Sequence, residues 1–335
     1  MSHPIALPRR GDRKTITFVI PFHNEALNLE AMVDALDAYA KAAARKWPVT
    51  VDAVFVDDGS SDDGVDRLQT ALAQRPRGPA VRMIRLSRNF GKEVALAAGL
   101  DLVQADAVVM MDADLQHPFS VVDAFIHGWL NEGYEIVYGV ASHKSEGAVK
   151  NAARRAFHHL MNAHGEAPIA RDAGDFRLLS RRAYEALRRL GERQRMMKGL
   201  YSWIGFRQKA VPFTPLRRHA GRAKFSPLKL WMLTLDGITS NTLLPLRLAA
   251  IIGLFAALLT GGYGLWTIIE KLFFGIPTPG YPTIVVIVGF VGAVQLIFLG
   301  VIGEYLGRVL VEVRGRPLYL VESDVTLRVQ RRIAS

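Results

Sequence analysis

The sequence predicts an α/β domain with a mostly parallel sheet, followed by an interfacial helix and two transmembrane helices. Three observations carry this expectation. In the first third of the chain, four apolar runs of strand length each lead into a helical pattern. Two of those runs end in paired carboxylates, Asp57-Asp58 and Asp112-Ala113-Asp114. Residues 243–307 hold two long apolar stretches, and basic residues flank them.

Taken in order, residues 1–14, MSHPIALPRRGDRK, lack the apolar centre of a signal peptide and read as a flexible lead-in, so the domain that follows is expected to stay cytosolic. Residues 15–21, TITFVIP, read as the first strand. Asn24 stands at an N-cap position before a helix with Leu29, Met32, Val33, Leu36 and Tyr39 on one face. The second strand closes on Asp57, Asp58 and Gly59. Ser60 or Ser61 is the expected cap of the next helix, and Asp62 and Asp63 read as helix-start residues. Val81 to Leu86 form the third strand, and Gly91 allows a tight turn into the helix after it. Ala107 to Met111 form the fourth, with Asp112 and Asp114 at its end, Gln116 and His117 within reach, and Pro118 opening a helix.

In an open α/β sheet, ligands bind at the C-terminal edge of the strands, and this edge would carry Glu25, Asp57, Asp58, Asp112 and Asp114. So many carboxylates call for a cation or for hydrogen-bond donors, and strand-end aspartates suit Mg²⁺ or Mn²⁺ shared with phosphates. A polar turn with helix caps is the competing reading of any one such pair. There is no cysteine, which excludes disulfides and thiolate zinc sites. Neither a G-x-G-x-x-G after the first strand nor a P-loop occurs.

Strands at 135–140 and 208–213 continue the domain. Residues 217–229, RRHAGRAKFSPLK, form a basic loop. Ser226 and Pro227 then start a helix whose Leu228, Trp231, Met232, Leu235 and Ile238 suit a membrane surface, with core packing as the alternative. Leu248–Ile269 and Thr283–Gly303 each match a bilayer core of ~30 Å. Basic residues before the first span and after the second put both ends in the cytoplasm. The formal net charge of +11 therefore points to membrane rather than nucleic acid. Gly303 and Gly307 form a G-x-x-x-G, Glu304 is spaced to pair with Arg308, and the tail is expected to return as a short strand against the domain. The divisions are a lead-in at 1–14, a catalytic domain at 15–216, the basic loop and interfacial helix at 217–242, two spans at 243–309 and a cytosolic tail at 310–335.

VIPFHNE, VDDGSSD, LSRNFGKE, MDADLQHP and DAGDFRLLSR, in this order, resemble the family 2 glycosyltransferases of GT-A fold. The similarity is to polyprenyl-phosphate glycosyltransferases such as bactoprenol glucosyltransferase and dolichol-phosphate mannose synthase, over residues 15 to 322. It implies a nucleotide site at Pro21, His23, Glu25, Asp57, Asp58, Lys92 and Asp112, and a divalent metal, Mg²⁺ or Mn²⁺, at Asp112, Asp114 and Gln116. It also implies an acceptor side at Asp175, with Asp172 as the alternative and Arg177 paired to one of them. A structural salt bridge is the rival account of that trio. Lys144, Arg154, Arg155, Arg218, Arg222 and Lys224 are the candidates for holding the acceptor phosphate or the diphosphate. Family members more often have Tyr at the position of His23, and arginine directly after the strand where this chain has Ser142, His143 and Lys144. The Q-x-x-R-W signature of processive synthases is absent.

The expected function is transfer of one sugar from a nucleotide diphosphate sugar, UDP-linked and for example UDP-glucose, to undecaprenyl phosphate at the cytoplasmic face of the inner membrane. The transfer is expected to depend on metal and to invert the anomeric centre, in a homo-oligomeric, multi-pass protein. The rival readings are transfer to a sugar hydroxyl or lipid alcohol, and a catalytically silent membrane scaffold.

Overall fold

The computed structural model describes residues 13–142, 173–192, 197–216, 244–274 and 280–328, which fall into two compact units. In the first unit, β1 (Lys14–Phe22), α1 (Ala26–Lys46), β2 (Val49–Asp57), α2 (Gly64–Gln74), β3 (Val81–Leu86), α3 (Lys92–Leu102), β4 (Ala107–Met110) and α4 (Phe119–Leu130) alternate strand with helix. They are followed by β5 (Ile136–Ala141), β6 (Ala173–Ser180), α5 (Arg181–Arg189), α6 (Met197–Trp203), β7 (Gln208–Phe213) and, after the second unit, β8 (Val321–Arg328).

The strands form one sheet in the order β7-β5-β6-β4-β1-β2-β3-β8. β1 to β4 are mutually parallel, as the repeated strand-helix pattern predicts, whereas β6 and β8 run antiparallel to their neighbours. Alternation along the central strands sends apolar side chains to both faces. Ile16, Phe18 and Ile20 meet Leu29, Met32, Val33 and Leu36 on one side. Val19, Val54 and Val56 meet Leu96 and Leu100 on the other. Each such fully buried side chain contributes ~1.5–3 kcal/mol, which fixes the register against slippage.

β1 and β4 pair only as far as Val19 and Met110, while β1 stays paired to β2 up to Phe22 and Asp57. Pro21, which has no N–H to donate, sits where the β4 ladder has already ended. The strand order reverses at this same place, and a crevice opens at the C-terminal edge.

The loops depart from expectation in one respect. Asn24 does not cap α1, and neither serine caps α2; Glu25 and Asp63 hold those positions without a side-chain cap bond. Asn24 takes a left-handed conformation (φ +54°) and reaches across to the neighbouring turn. Its N–H donates to Ser60 Oγ at 3.0 Å and its Oδ1 accepts from the Ser61 N–H at 2.8 Å. Adjacent parallel strands bring the two turns together, so a short amide side chain finds the other turn's donors before its own helix's. Asp62 does serve the helix starts, accepting from the N–H groups of Ala26 and Gly64 at 3.1 Å each.

The expected return of the tail is realised as β8, which covers the β3 edge of the sheet. Arg82 pairs with Asp324, and Tyr319 donates to Asp101 Oδ2 at 3.1 Å.

The second unit holds α7 (Leu244–Phe274) and α8 (Tyr281–Val313), which contain the two apolar runs. A Cβ at Gly253 would lie 2.5 Å from the Phe298 ring, so glycine permits that close approach. Gly303 and Gly307 have no described atom within 4 Å of such a Cβ, so among the described residues this G-x-x-x-G makes no contact between α7 and α8. Glu304 pairs with Arg308 at 2.8 Å. Among the described residues, one helix, Ile287–Val313, is long and apolar enough to cross a membrane, and Ile251–Trp266 is a shorter apolar stretch. The expected interfacial helix lies outside the described residues.

Candidate active site

Most of the residues singled out from sequence lie at the C-terminal ends of β1, β2 and β4, at the start of α3 and on β6. Asp57 ends β2 fully buried; its Oδ1 accepts from the Ser60 N–H at 2.9 Å, and Arg85 Nε stands 3.3 Å from its Oδ2. Asp58 follows, also buried, and both its oxygens accept backbone N–H groups, from Phe90 at 2.7 Å and Gly91 at 2.9 Å. Burial raises its pKa despite those two donors, which oppose the shift. Gly59 turns left-handed (φ +63°), and a Cβ there would lie 2.4 Å from the backbone carbon of Arg88. Only glycine lets the two loops meet this closely.

His23 places Nδ1 2.9 Å from the Asp58 carbonyl oxygen, while Glu25 accepts from Asn28 Nδ2 at 2.5 Å. Pro21, His23, Glu25, Asp57 and Asp58 thus lie at the ends of β1 and β2 and on the two turns that follow them.

The second half of the site comes from β4 and β6. β6 is antiparallel to β4 with Met110 opposite Arg177. Beyond the end of that pairing, Asp112 and Asp175 converge on one side chain. Lys92, the first residue of α3, bridges them: its Nζ is 2.6 Å from Asp112 Oδ1 and 3.1 Å from Asp175 Oδ2. Desolvation opposes the lysine's charge, but the two carboxylates outweigh it and raise its pKa. Burial likewise opposes ionisation of Asp175, yet Lys92, Arg177 and Lys198 hold its pKa below the usual carboxylate range. Its Oδ1 is buried and accepts no hydrogen bond.

Asp114 is buried, and its Oδ1 accepts from the Gln116 N–H at 3.1 Å. Between them Leu115 is left-handed (φ +61°), a costly conformation for leucine that folds the D-A-D-L-Q turn back on itself. His117 secures the turn: its Nδ1 accepts from the Asp112 N–H at 3.2 Å, and its ring stacks on Phe176 at 4.5 Å. Burial lowers its pKa, so it is neutral, as an acceptor must be.

Arg177 was expected to pair with Asp175 or Asp172. With Asp175 it forms no ion pair: its buried guanidinium lies 3.4 Å over the Tyr201 ring, and Nη2 donates to the Gly174 carbonyl, while the alternative partner Asp172 lies outside the described residues. Its charge lowers the pKa of Asp175 through space. Asp172, Lys144, Arg154, Arg155, Arg218, Arg222 and Lys224 lie outside the described residues.

Arg85, Glu93 and Tyr201 were not singled out for the site from sequence, and His117 only as lying within reach of the strand-end aspartates. A signal existed for Arg85: two arginines in the otherwise apolar run VRMIRL need partners, and Glu322 and Asp324 in the tail supply them.

Of the two expected remedies for the clustered carboxylates, a cation or hydrogen-bond donors, the chain itself supplies at least one donor to each of the five, while Asp57 Oδ2 is buried without a hydrogen bond. Among the described residues no group of three His, Asp or Glu side chains is arranged to hold a metal. Two adjacent carboxylates and an amide are nonetheless a hard-oxygen set of the kind that Mg²⁺ or Mn²⁺ uses when phosphates and water complete its shell.

The description "Glycosyl transferase family 2" matches residues 17–188, and "GtrB C-terminal hairpin" matches residues 244–309. The chain is 40% identical over 309 residues to an uncharacterized glycosyltransferase of Synechocystis sp., covering 91% of this chain and 94% of that one. It is 40% identical over 310 residues to the bactoprenol glucosyl transferase of Shigella phage SfII, covering 92% and 98%. A solved structure, the mannosyltransferase PcManGT from Pyrobaculum calidifontis in complex with GDP-Man and Mn²⁺, aligns with a TM-score of 0.44 at 16% identity over 91% of this chain and 90% of that one. The family match spans the strands and turns that build the crevice, and the relatives align along nearly the whole chain: the protein belongs to glycosyl transferase family 2 and is a glycosyltransferase.

Proposed function

We propose that the protein transfers a single sugar from a nucleotide diphosphate sugar, UDP-linked and for example UDP-glucose, to undecaprenyl phosphate at the cytoplasmic membrane face, inverting the anomeric centre. The observation that carries this reading is the convergence of Asp112 and Asp175 on Lys92 at the sheet edge, in a chain 40% identical to a bactoprenol glucosyl transferase.

Pro21, His23, Glu25, Asp57 and Asp58 form the nucleoside side, where two tied turns leave backbone and carboxylate groups for a base and ribose. Asp112, Asp114 and Gln116 would hold Mg²⁺ or Mn²⁺. When bound, that ion supplies positive charge against the departing diphosphate. Asp175 faces the acceptor side. A phosphomonoester has its second pKa at ~6, so a lipid phosphate is already a nucleophile at neutral pH. An aspartate whose pKa is held low makes a poor base. Asp175 therefore orients Lys92 and the incoming group instead of taking a proton, and Arg177 stiffens the strand beneath it. Lys144, Arg154, Arg155, Arg218, Arg222 and Lys224 complete the phosphate-binding set, and Asp172 is the alternative to Asp175 on the acceptor side. Two spans tether the protein to the membrane that contains its acceptor, with both termini in the cytoplasm, and the enzyme works as a homo-oligomer.

The test is to supply membranes containing the protein with labelled nucleotide sugars, polyprenyl phosphate and Mg²⁺. The expected product is an acid-labile glycolipid formed from UDP-glucose. A product with sugar or alcohol acceptors and none with polyprenyl phosphate would select a base-catalysed transfer instead; no product with any acceptor would overturn the enzymatic reading of this site.

A further inference from the structure

We infer that Lys92 is a resident counter-cation that makes metal binding at Asp112 conditional on the nucleotide diphosphate. The inference rests on the metal assignment proposed above and adds to it a coupling between two ligands.

Lys92 Nζ is held by two carboxylates at once, at 2.6 Å from Asp112 and 3.1 Å from Asp175. An ammonium at that distance already neutralises Asp112. A divalent ion on the same carboxylate would stand within a few ångströms of a like charge, where repulsion is large. Metal and lysine therefore compete for Asp112.

The competition can be resolved without unpacking the fold. The Lys92 side chain is 44% exposed, so its ammonium can leave Asp112 without opening the core. Its second partner offers somewhere to go, because Asp175 Oδ1 is buried and accepts no hydrogen bond. An ammonium that leaves Asp112 can move onto both oxygens of Asp175. The backbone of Lys92 does not have to move, since the turn before it is held by Asp58 through the N–H groups of Phe90 and Gly91. What drives the exchange is added negative charge. A diphosphate beside Asp112 offsets the repulsion between metal and lysine and offers the ammonium another anion. By linkage, a nucleotide that strengthens metal binding is strengthened by the metal to the same degree.

The consequence is weak metal binding alone and tight binding with the nucleotide. Lys92→Gln removes the competing charge, so its affinity for metal without nucleotide should rise by about tenfold, and the enhancement by nucleotide should shrink to match. Lys92→Arg keeps the charge and should behave as wild type. Asp175→Asn moves in the opposite direction: with its landing place weakened, the lysine stays on Asp112, and metal affinity in the presence of nucleotide should fall.

The experiment is titration of the purified full-length protein with Mn²⁺, followed by the electron paramagnetic resonance of the free ion, with and without UDP. If wild type takes up no Mn²⁺ even with UDP, the metal assignment itself fails. If wild type takes up Mn²⁺ with UDP, but Lys92→Gln binds it no more tightly than wild type without UDP, the coupling role of Lys92 is overturned while the metal site stands. If Lys92→Gln does not fold, Asp175→Asn decides the matter: unchanged Mn²⁺ affinity with UDP present overturns the inference.

Discussion

Arg328 and Asp37, 291 positions apart in sequence, form a buried two-pronged ion pair, with Nη1 donating to Oδ2 at 2.9 Å and Nη2 to Oδ1 at 2.5 Å. The guanidinium also donates to the carbonyl oxygens of Pro79 and Arg75 at 2.8 Å each. The last residue of β8 is thus locked onto the first helix of the domain. Arg328→Met leaves Asp37 charged and buried without a partner, at a cost of ~3–5 kcal/mol. Thermal unfolding of the detergent-solubilised protein should show a clearly lowered midpoint. Adding Asp37→Leu should recover much of the loss, because the penalty lies in the orphaned charge; a midpoint unmoved by Arg328→Met would mean that the tail strand is not locked.

Gly59→Ala tests the close approach of the two loops. The left-handed conformation costs a Cβ-bearing residue ~1–2 kcal/mol, and the contact with the Arg88 backbone adds to that. We expect a lower melting midpoint and a loss of UDP binding by calorimetry, since the Asp58 turn must shift. Binding at wild-type strength would remove this turn from the nucleotide site.

Glu93 gives the domain a pH dependence near neutrality. Burial is the main cause of its raised pKa, and Asp175 adds to it, while the Met197 N–H bond opposes it; together they bring it from 4.5 to about 7. The folded state then holds this proton more tightly than the unfolded chain. The stabilisation is full below pH 4.5 and is lost as pH rises through 7, by at most ~1.4 kcal/mol per pH unit. Glu93→Gln should match wild type near pH 5 and exceed it in thermal stability at pH 8. Parallel pH profiles for the two proteins would refute this.

Asp114→Asn and Asp175→Asn separate the two carboxylate roles. Asp114→Asn removes a proposed metal ligand and should lower turnover by at least about 100-fold, the scale for removing transition-state charge stabilisation. Asp175→Asn should retain activity within about tenfold, whereas a general base would contribute 10²–10⁴-fold. Glycolipid formation under saturating donor is the measurement, and equal losses in the two variants would restore Asp175 as a base.

Much of the first unit was legible along the chain. The strands ending at Asp57, Leu86 and Met110 follow from apolar runs closed by polar turns, and Gly91 and Pro118 mark helix starts by the backbone geometry they permit. The turn contacts were not legible. Asn24 looks like a helix cap because the pattern around it is local, whereas its partners Ser60 and Ser61 belong to the next turn. Arg177 looks like a salt-bridge partner for Asp175, and only packing brings the Tyr201 ring beneath it.

What the sequence determined by itself is the set of chemical groups at the sheet edge, because hydrophobic periodicity and turn residues act over a few positions and place Asp57, Asp58, Asp112 and Asp114 at strand ends. What only the tertiary structure decided is how those charges are satisfied. Asp175 comes near Asp112 because β6 pairs antiparallel with β4, Lys92 joins them from the start of α3, and Arg85 reaches Asp57 beside a tail strand that arrives after both long helices. Such pairings depend on strand order and register, which are settled by burying both faces of one sheet and are written in no local stretch of the chain.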